Sequence, residues 1–382
     1  MSIRFAWLLV LPAVALAQVP IDRIPNSLSL PDAYPENWVF VYAANYTVAL
    51  GSFAIVDVAA GTKEYKGQFQ GAFFPSFIDP VASSELYVAE SFFESVGHGR
   101  RTDVLTITKK SNLNPVAEIV LPGTKRGVLS GNLMDLTHDG SLILVFNFTP
   151  GSSVSVVDIH KRKVVNEVPI PGCTSIYPSG PRGFSSLCAN GTLATFSLGP
   201  KGEVTRERRS LTFNDIDNDA LYLEPTSIGA MTYFVSAKGN VRPVDMAGED
   251  PSVQPSWPLM TQVEGGDGWR TADGVFAASD RNGRLYVRMY RETGYDKQLS
   301  GNTEVWVYDV SAQKRVGRIP LKNGGSSIDV TRGKEPYLVV VAEGDSSTGQ
   351  GIDVYDASTG AFVRTVGGWP LGTSLALFQA ER

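Results

Sequence analysis

The sequence predicts an all-β protein, a seven-bladed β-propeller of four-stranded antiparallel blades closed by strands from both chain ends. A five-residue alternating apolar stretch, usually closed by Asp, recurs seven times, beginning at residues 53, 104, 154, 193, 241, 305 and 352. Successive starts are therefore 51, 50, 39, 48, 64 and 47 residues apart. A period of roughly 50 residues built from strands marks the propeller blade. One blade cannot cover both faces of its own sheet, so neighbours must stack in a ring.

From the N-terminus, residues 1–17 read as a cleaved signal peptide. Arg4 precedes an apolar run over 5–16, and Ala15-Leu16-Ala17 is a small-x-small cleavage site ahead of Gln18. The run is short for a membrane span, which leaves a retained anchor as the secondary reading. Removing 17 of 382 residues leaves 365. Residues 18–382 then form a single propeller domain of about 52 residues per blade, enough for four strands and their loops.

The apolar stretches occupy 53–57, 104–108, 154–158, 193–197, 241–245, 305–309 and 352–356. A second β-rich run precedes most of them, at 39–43, 86–89, 142–148, 232–235, 285–290 and 338–342. A turn and a third run follow several, as in 311–314 with 315–321 and 357–360 with 361–366. Asp followed by small residues and Gly is turn chemistry, the carboxylate capping the bend and Gly tolerating positive φ. The recurring Asp is thus structural rather than catalytic. A short inner strand precedes the second run in blades two, three and seven, at 76–78, 133–136 and 327–330. Blade one has only the Pro-rich stretch 24–35 in that place. Its missing strand reappears at 374–378, where pairing beside 39–43 removes two open edges.

Formal charge is −5, and −6 once Arg4 is lost with the leader (33 − 39). That balance offers no basic footprint for nucleic acid, and no membrane segment remains after cleavage. Cys173 and Cys188 flank a strand–turn–strand pattern, and an even pair in an exported chain reads as a disulfide across a hairpin of blade four. Closing such a loop is worth roughly 3 kcal/mol. No metal site is expected: His98, His138 and His160 fall on separate turns and loops without ligand spacing. The run Asp215/Asp217/Asp219 reads as a solvated loop, with cation binding the lesser alternative. No nucleophile elbow, Walker loop or dinucleotide fingerprint occurs, and 265–268 reads as a blade loop. The chain is expected to carry no catalytic residue. The remaining signal is aromatic: Phe73-Phe74-Pro75 and Phe92-Phe93 either fill a blade interface or line an apolar passage or subunit contact.

These residues also carry a resemblance. Gly71-Ala72-Phe73-Phe74-Pro75, Ala89-Glu90-Ser91-Phe92-Phe93 and Gly99-Arg100-Arg101-Thr102-Asp103 resemble the heavy subunit of the periplasmic quinoprotein amine dehydrogenases. Those are the methylamine and aromatic amine dehydrogenases that use tryptophan tryptophylquinone. The likeness continues through the cysteine pair, Asp267-Gly268-Trp269-Arg270, Lys334-Glu335-Pro336-Tyr337-Leu338 and Tyr355-Asp356-Ala357-Ser358-Thr359-Gly360, and covers nearly the whole mature chain. It departs at Thr271-Ala272-Asp273-Gly274, where the family has a Pro-Gly-Gly stretch, and at Tyr42-Ala43-Ala44-Asn45, where an Asn-Asp pair is typical.

The resemblance implies a seven-bladed propeller in a tetramer of two heavy and two light chains. The quinone, tryptophan tryptophylquinone, and the catalytic carboxylate would belong to the light subunit, leaving no cofactor in this chain. Phe73, with Phe74 beside it, matches the family's substrate channel. The assembled enzyme would oxidise a primary amine in the periplasm and pass electrons to a blue copper protein or cytochrome. The alternative function is a stand-alone exported propeller that binds a ligand or protein without redox activity, since fold does not imply function.

Overall fold

The computed structural model describes residues 29–45, 50–125, 127–128, 130–272, 277–279, 281–291, 303–342, 351–367 and 374–378. The expected leader 1–17 and the divergent pair Asp273-Gly274 lie outside them. The described strands form seven antiparallel sheets. Blade one combines Trp38–Asn45, Leu50–Asp57 and Tyr65–Gln70 with the C-terminal Ser374–Phe378. The closing strand runs antiparallel to the first, with Phe40 opposite Phe378 and Ala44 opposite Ser374, so both chain ends close the ring as the sequence predicts.

The four-stranded plan holds in every blade, but in three blades two short strands share one position. Thr124–Lys125 and Met134–Leu136 share the inner position of blade three, both pairing with Leu142–Thr149. Trp269–Thr271 and Ala277–Ser279 do the same in blade six. In blade five the outer position is divided between Ser252–Val253 and Trp257–Pro258. Pro255 lies between those two pieces and has no N–H to extend either.

The core lies between the blades. Each of seven clusters of buried side chains draws on two successive blades. Alternation along a strand sends neighbouring residues to opposite interfaces. Phe40 and Tyr42 pack against blade two, whereas Val39, Val41 and Ala43 pack against blade seven. The recurring Asp caps its turn as expected. One carboxylate oxygen of Asp309 accepts from the amides of Ser311 and Ala312 at 3.0 Å each, and Asp356 accepts from Ser358 and Thr359 at 2.9 and 2.8 Å.

Two expectations need correction. Residues 97–101 are not a loop: strand His98–Lys109 begins within them, because the hairpin of blade two continues past the stacked part of the sheet. Residues 265–268 are not all loop either: a one-turn helix, Gln262–Gly266, ends within them, nucleated by a capping box between Thr261 and Glu264.

Cys173 and Cys188 are bonded across the first hairpin of blade four, with Cα atoms 3.9 Å apart. That is closer than the usual ~4.4–6.8 Å. Their amides bond to Ile170 and Thr192 instead of to each other, so they form the close, non-hydrogen-bonded kind of cross-strand pair.

Blade one supplies the test of closure. A chain ending at Val366 is expected to melt at a markedly lower temperature and to aggregate, because strand Trp38–Asn45 would expose a long apolar edge. Thermal unfolding with light scattering checks this; equal melting temperatures would show that the ring does not need its last strand.

Candidate functional site: an aromatic pair braced by a buried lysine

The site grows out of the hairpin of blade two. Its strands, Glu85–Ser95 and His98–Lys109, have 11 and 12 residues and pair from Glu85 opposite Lys109 to Ser95 opposite His98. Residues 94–100 at the tip are exposed. Gly97, in the two-residue loop, has φ 75°, where a Cβ would be strained.

The segment 71–75 lies against the base of this overhang. The Ala72 amide donates to Glu90 Oε2 at 2.7 Å, and Thr106 Oγ1 donates to Glu90 Oε1 at 2.5 Å. Both oxygens of this buried carboxylate are thereby engaged. Phe73 and Phe74 follow with φ 36° and 48°. Left-handed backbone costs a non-glycine residue roughly 1–2 kcal/mol, so two in succession must be held by their surroundings.

The rings are half-buried. Phe73 lies 5.1 Å from Phe74 and 5.1 Å from Phe93, edge-on to both. The Arg101 guanidinium lies 5.5 Å from the Phe73 ring centre and 5.9 Å from that of Phe93. On another side, a Cβ at Gly127 would come within 2.9 Å of the Phe73 ring, so a side chain there would push the ring aside.

Beneath the rings is a polar network. Arg101 Nε and Nη2 donate to Asp103 Oδ1 at 3.1 and 2.7 Å, and Nη2 also reaches Ser91 Oγ at 3.0 Å and the Lys125 carbonyl at 2.7 Å. Ser91 Oγ donates to Asp103 at 2.6 Å. The buried Lys125 Nζ donates to the Phe74 carbonyl at 2.7 Å and reaches the Phe73 carbonyl at 3.5 Å.

Burial pushes the Glu90 carboxyl above the usual carboxylate range, against the opposing bonds from Thr106 and Ala72. Burial likewise pushes the Lys125 amine down to about 7; Arg101 adds to this, while Asp103 and Glu90 oppose it. The assembly can receive an apolar group on a rigid aromatic rim and exclude water. Its described titratable groups, Glu90, Arg101, Asp103 and Lys125, are all engaged in hydrogen bonds.

The structure thus brings together Phe73, Phe74 and Phe93, while the large aromatics of the adjacent blade interface are others: Phe40, Phe53, Phe69 and Phe77. The three histidines are exposed and on separate elements. Asp215 bonds to Asn218, and Asp219 to Lys238 and Asn240. Among the described residues, no group of three His, Cys, Asp or Glu side chains is placed to hold a metal.

Residues 39–377 match the methylamine dehydrogenase heavy chain family. The chain belongs to that family. It is 24% identical over 332 residues to the methylamine dehydrogenase heavy chain of Methylorubrum extorquens, covering 86% of this chain and 79% of that one. With the heavy chain of Paracoccus versutus the identity is 25% over 334 residues, covering 86% and 76%. Among solved structures, a dihydro-heme d1 dehydrogenase superposes with TM-score 0.54 at 16% identity, over 90% of this chain and 66% of that one. A Lactobacillus plantarum protein gives TM-score 0.57 at 10% identity, over 90% and 100%. Those two share the fold alone.

The resemblance read from the sequence points to segment 71–75, but the residue that braces it was not legible there. Lys125 lies in a short polar connection, without periodicity or a motif to mark it. Glu90, Arg101 and Asp103 stand in the quoted motifs, yet nothing in their spacing assigns them to the support of Phe73.

Lys125 also gives the chain a pH signature. Above about pH 7 the folded chain holds the neutral amine, while the unfolded chain keeps its proton up to the ordinary lysine value of 10.5. The unfolded state then binds more protons, so stability rises with pH through that window and levels off outside it. Relative to Lys125→Met, native stability should increase by about 2 kcal/mol between pH 7 and pH 9. Denaturant unfolding of both chains at the two pH values checks the sign. A difference that stays constant or shrinks would mean that the amine is charged in the fold.

Proposed function

We propose that this chain is the heavy subunit of a periplasmic quinoprotein amine dehydrogenase, scaffolding a small quinone-bearing light subunit. The assembled enzyme converts a primary amine to an aldehyde and ammonia, with water supplying the carbonyl oxygen. Two electrons leave the amine for the quinone and pass singly to a small redox protein, a blue copper protein or a cytochrome. The observation that carries this reading is the braced Phe73–Phe74 pair in a chain of the heavy-chain family.

The distribution of apolar surface supports it. The Phe73 cluster lies on the ring face where second and third strands are joined and where one blade passes to the next. Among the described residues of that face, Val96, Phe148, Leu211 and Val263 are each more than half exposed. They are contacts for the partner chain in this reading. In this reading tryptophan tryptophylquinone sits in that partner and supplies the two-electron chemistry. This chain's own tryptophan pair is packed inside a blade interface. Trp269 and Trp306 lie 5.1 Å apart, both buried, with Arg318 within 5 Å of each ring centre. This chain binds the partner, orients the amine's apolar end against Phe73 and Phe74, and keeps water from the passage.

Two outcomes follow from this division of labour. The purified chain alone should show no visible chromophore and no amine oxidation with an artificial electron acceptor. Turnover by the chain alone would reject the scaffold reading. In the enzyme reconstituted with its light subunit, Phe73→Ala should change the ratio of kcat/KM for small and bulky amines by roughly 1–3 kcal/mol of discrimination, with little loss of assembly. If instead the melting temperature falls sharply and the ratio does not move, Phe73 is a packing residue.

A further inference from the structure

We infer that Lys125 is the positioning residue of the Phe73–Phe74 pair: its amino group holds the carbonyls of two successive left-handed residues and so fixes both rings without touching substrate. The functional consequence rests on the channel reading above; the positioning itself does not.

The argument starts from the backbone. Phe73 and Phe74 both lie in the left-handed region. Successive residues of one helical hand point their carbonyls the same way, which brings two like dipoles together and lets one donor serve both. Lys125 Nζ does so, at 3.5 Å from the Phe73 carbonyl and 2.7 Å from that of Phe74. The amine donates in either protonation state, so the clamp does not depend on its charge.

The donor is itself fixed. Strand Thr124–Lys125 pairs with Asn147 and Thr149 of blade three, and the Lys125 carbonyl accepts from Arg101 of blade two at 2.7 Å. Lys125 therefore ties segment 71–75 to two rigid sheets. Arg101 meets the Phe73 ring from one side while Lys125 sets the backbone that carries it. Allowed side-chain rotamers depend on φ and ψ, so relaxing the two residues to right-handed or extended backbone would redirect both rings.

The test uses the full chain with Lys125→Met and Lys125→Gln. Hydrogen exchange is followed by mass spectrometry in peptides covering 71–76 and, as the control, the core strand of blade three. Lys125→Met should speed exchange in 71–76 by about tenfold and leave the control unchanged. The amide of Lys125→Gln is polar and one atom shorter, so it safeguards folding and should give a smaller increase, about threefold. Native exchange of 71–76 in either folded variant overturns the inference.

The same variants are then assayed in the reconstituted enzyme beside Phe73→Ala. A shift in the small-to-bulky ratio of kcat/KM, alike in Lys125→Met and Phe73→Ala, supports positioning for selection. Faster exchange in Lys125→Met without that shift, where Phe73→Ala does shift it, overturns it. If exchange quickens while Phe73→Ala leaves the ratio unchanged, the channel reading fails and Lys125 still stands as the brace of the loop.

Discussion

Stacking of each blade on two neighbours is the constraint on which the rest of the structure depends. A strand whose odd residues face one blade and even residues face the other must be apolar on both sides. Leu142, Leu144 and Phe146 face blade four while Ile143 and Val145 face blade two. Such a strand has no solvent face to display, and the ring has no room for an open end. Closure by Ser374–Phe378 follows from that requirement, since an unpaired first strand would leave blade one with three strands and a bare edge.

The same constraint shows why chemistry-bearing residues collect where stacking stops. Within the stack, partnered polar groups act as structural fasteners. Asp79 and Lys110 form an ion pair of 2.6 Å with both side chains buried, and the Tyr34 hydroxyl of the N-terminal segment donates to the Lys110 carbonyl at 2.8 Å. Past the stack, the hairpin of blade two continues as an exposed arm, and the segment at its base adopts backbone that regular sheet cannot accommodate. Phe73 and Phe74 are strong strand formers held in a left-handed conformation. Such local conflict is characteristic of functional positions.

What was legible in the sequence divides along this boundary. The apolar stretch of each blade, the turn-capping Asp309 and Asp356, the closing strand and the Cys173–Cys188 bond all follow from periodicity, turn chemistry or pairing. They depend on local pattern or on the symmetry of the ring. The overhang of 90–101 escaped because alternation of apolar residues is imposed only where both faces are covered. Lys125 escaped for a different reason. Its partners lie 51 and 52 residues earlier in the chain, and they are backbone carbonyls, which leave no trace in residue type.

The central claim is that this ring, through the face bearing the blade-two arm, holds a small quinone-bearing chain. The most direct measurement is to purify the tagged full-length chain from the exported fraction of its own host, stain the product for quinone, and map cross-links between its components. The account predicts an equimolar small chain that stains for quinone, with cross-links concentrated at residues 92–101 and around Phe148. Recovery of the chain alone, or with a partner that carries no quinone, would contradict it.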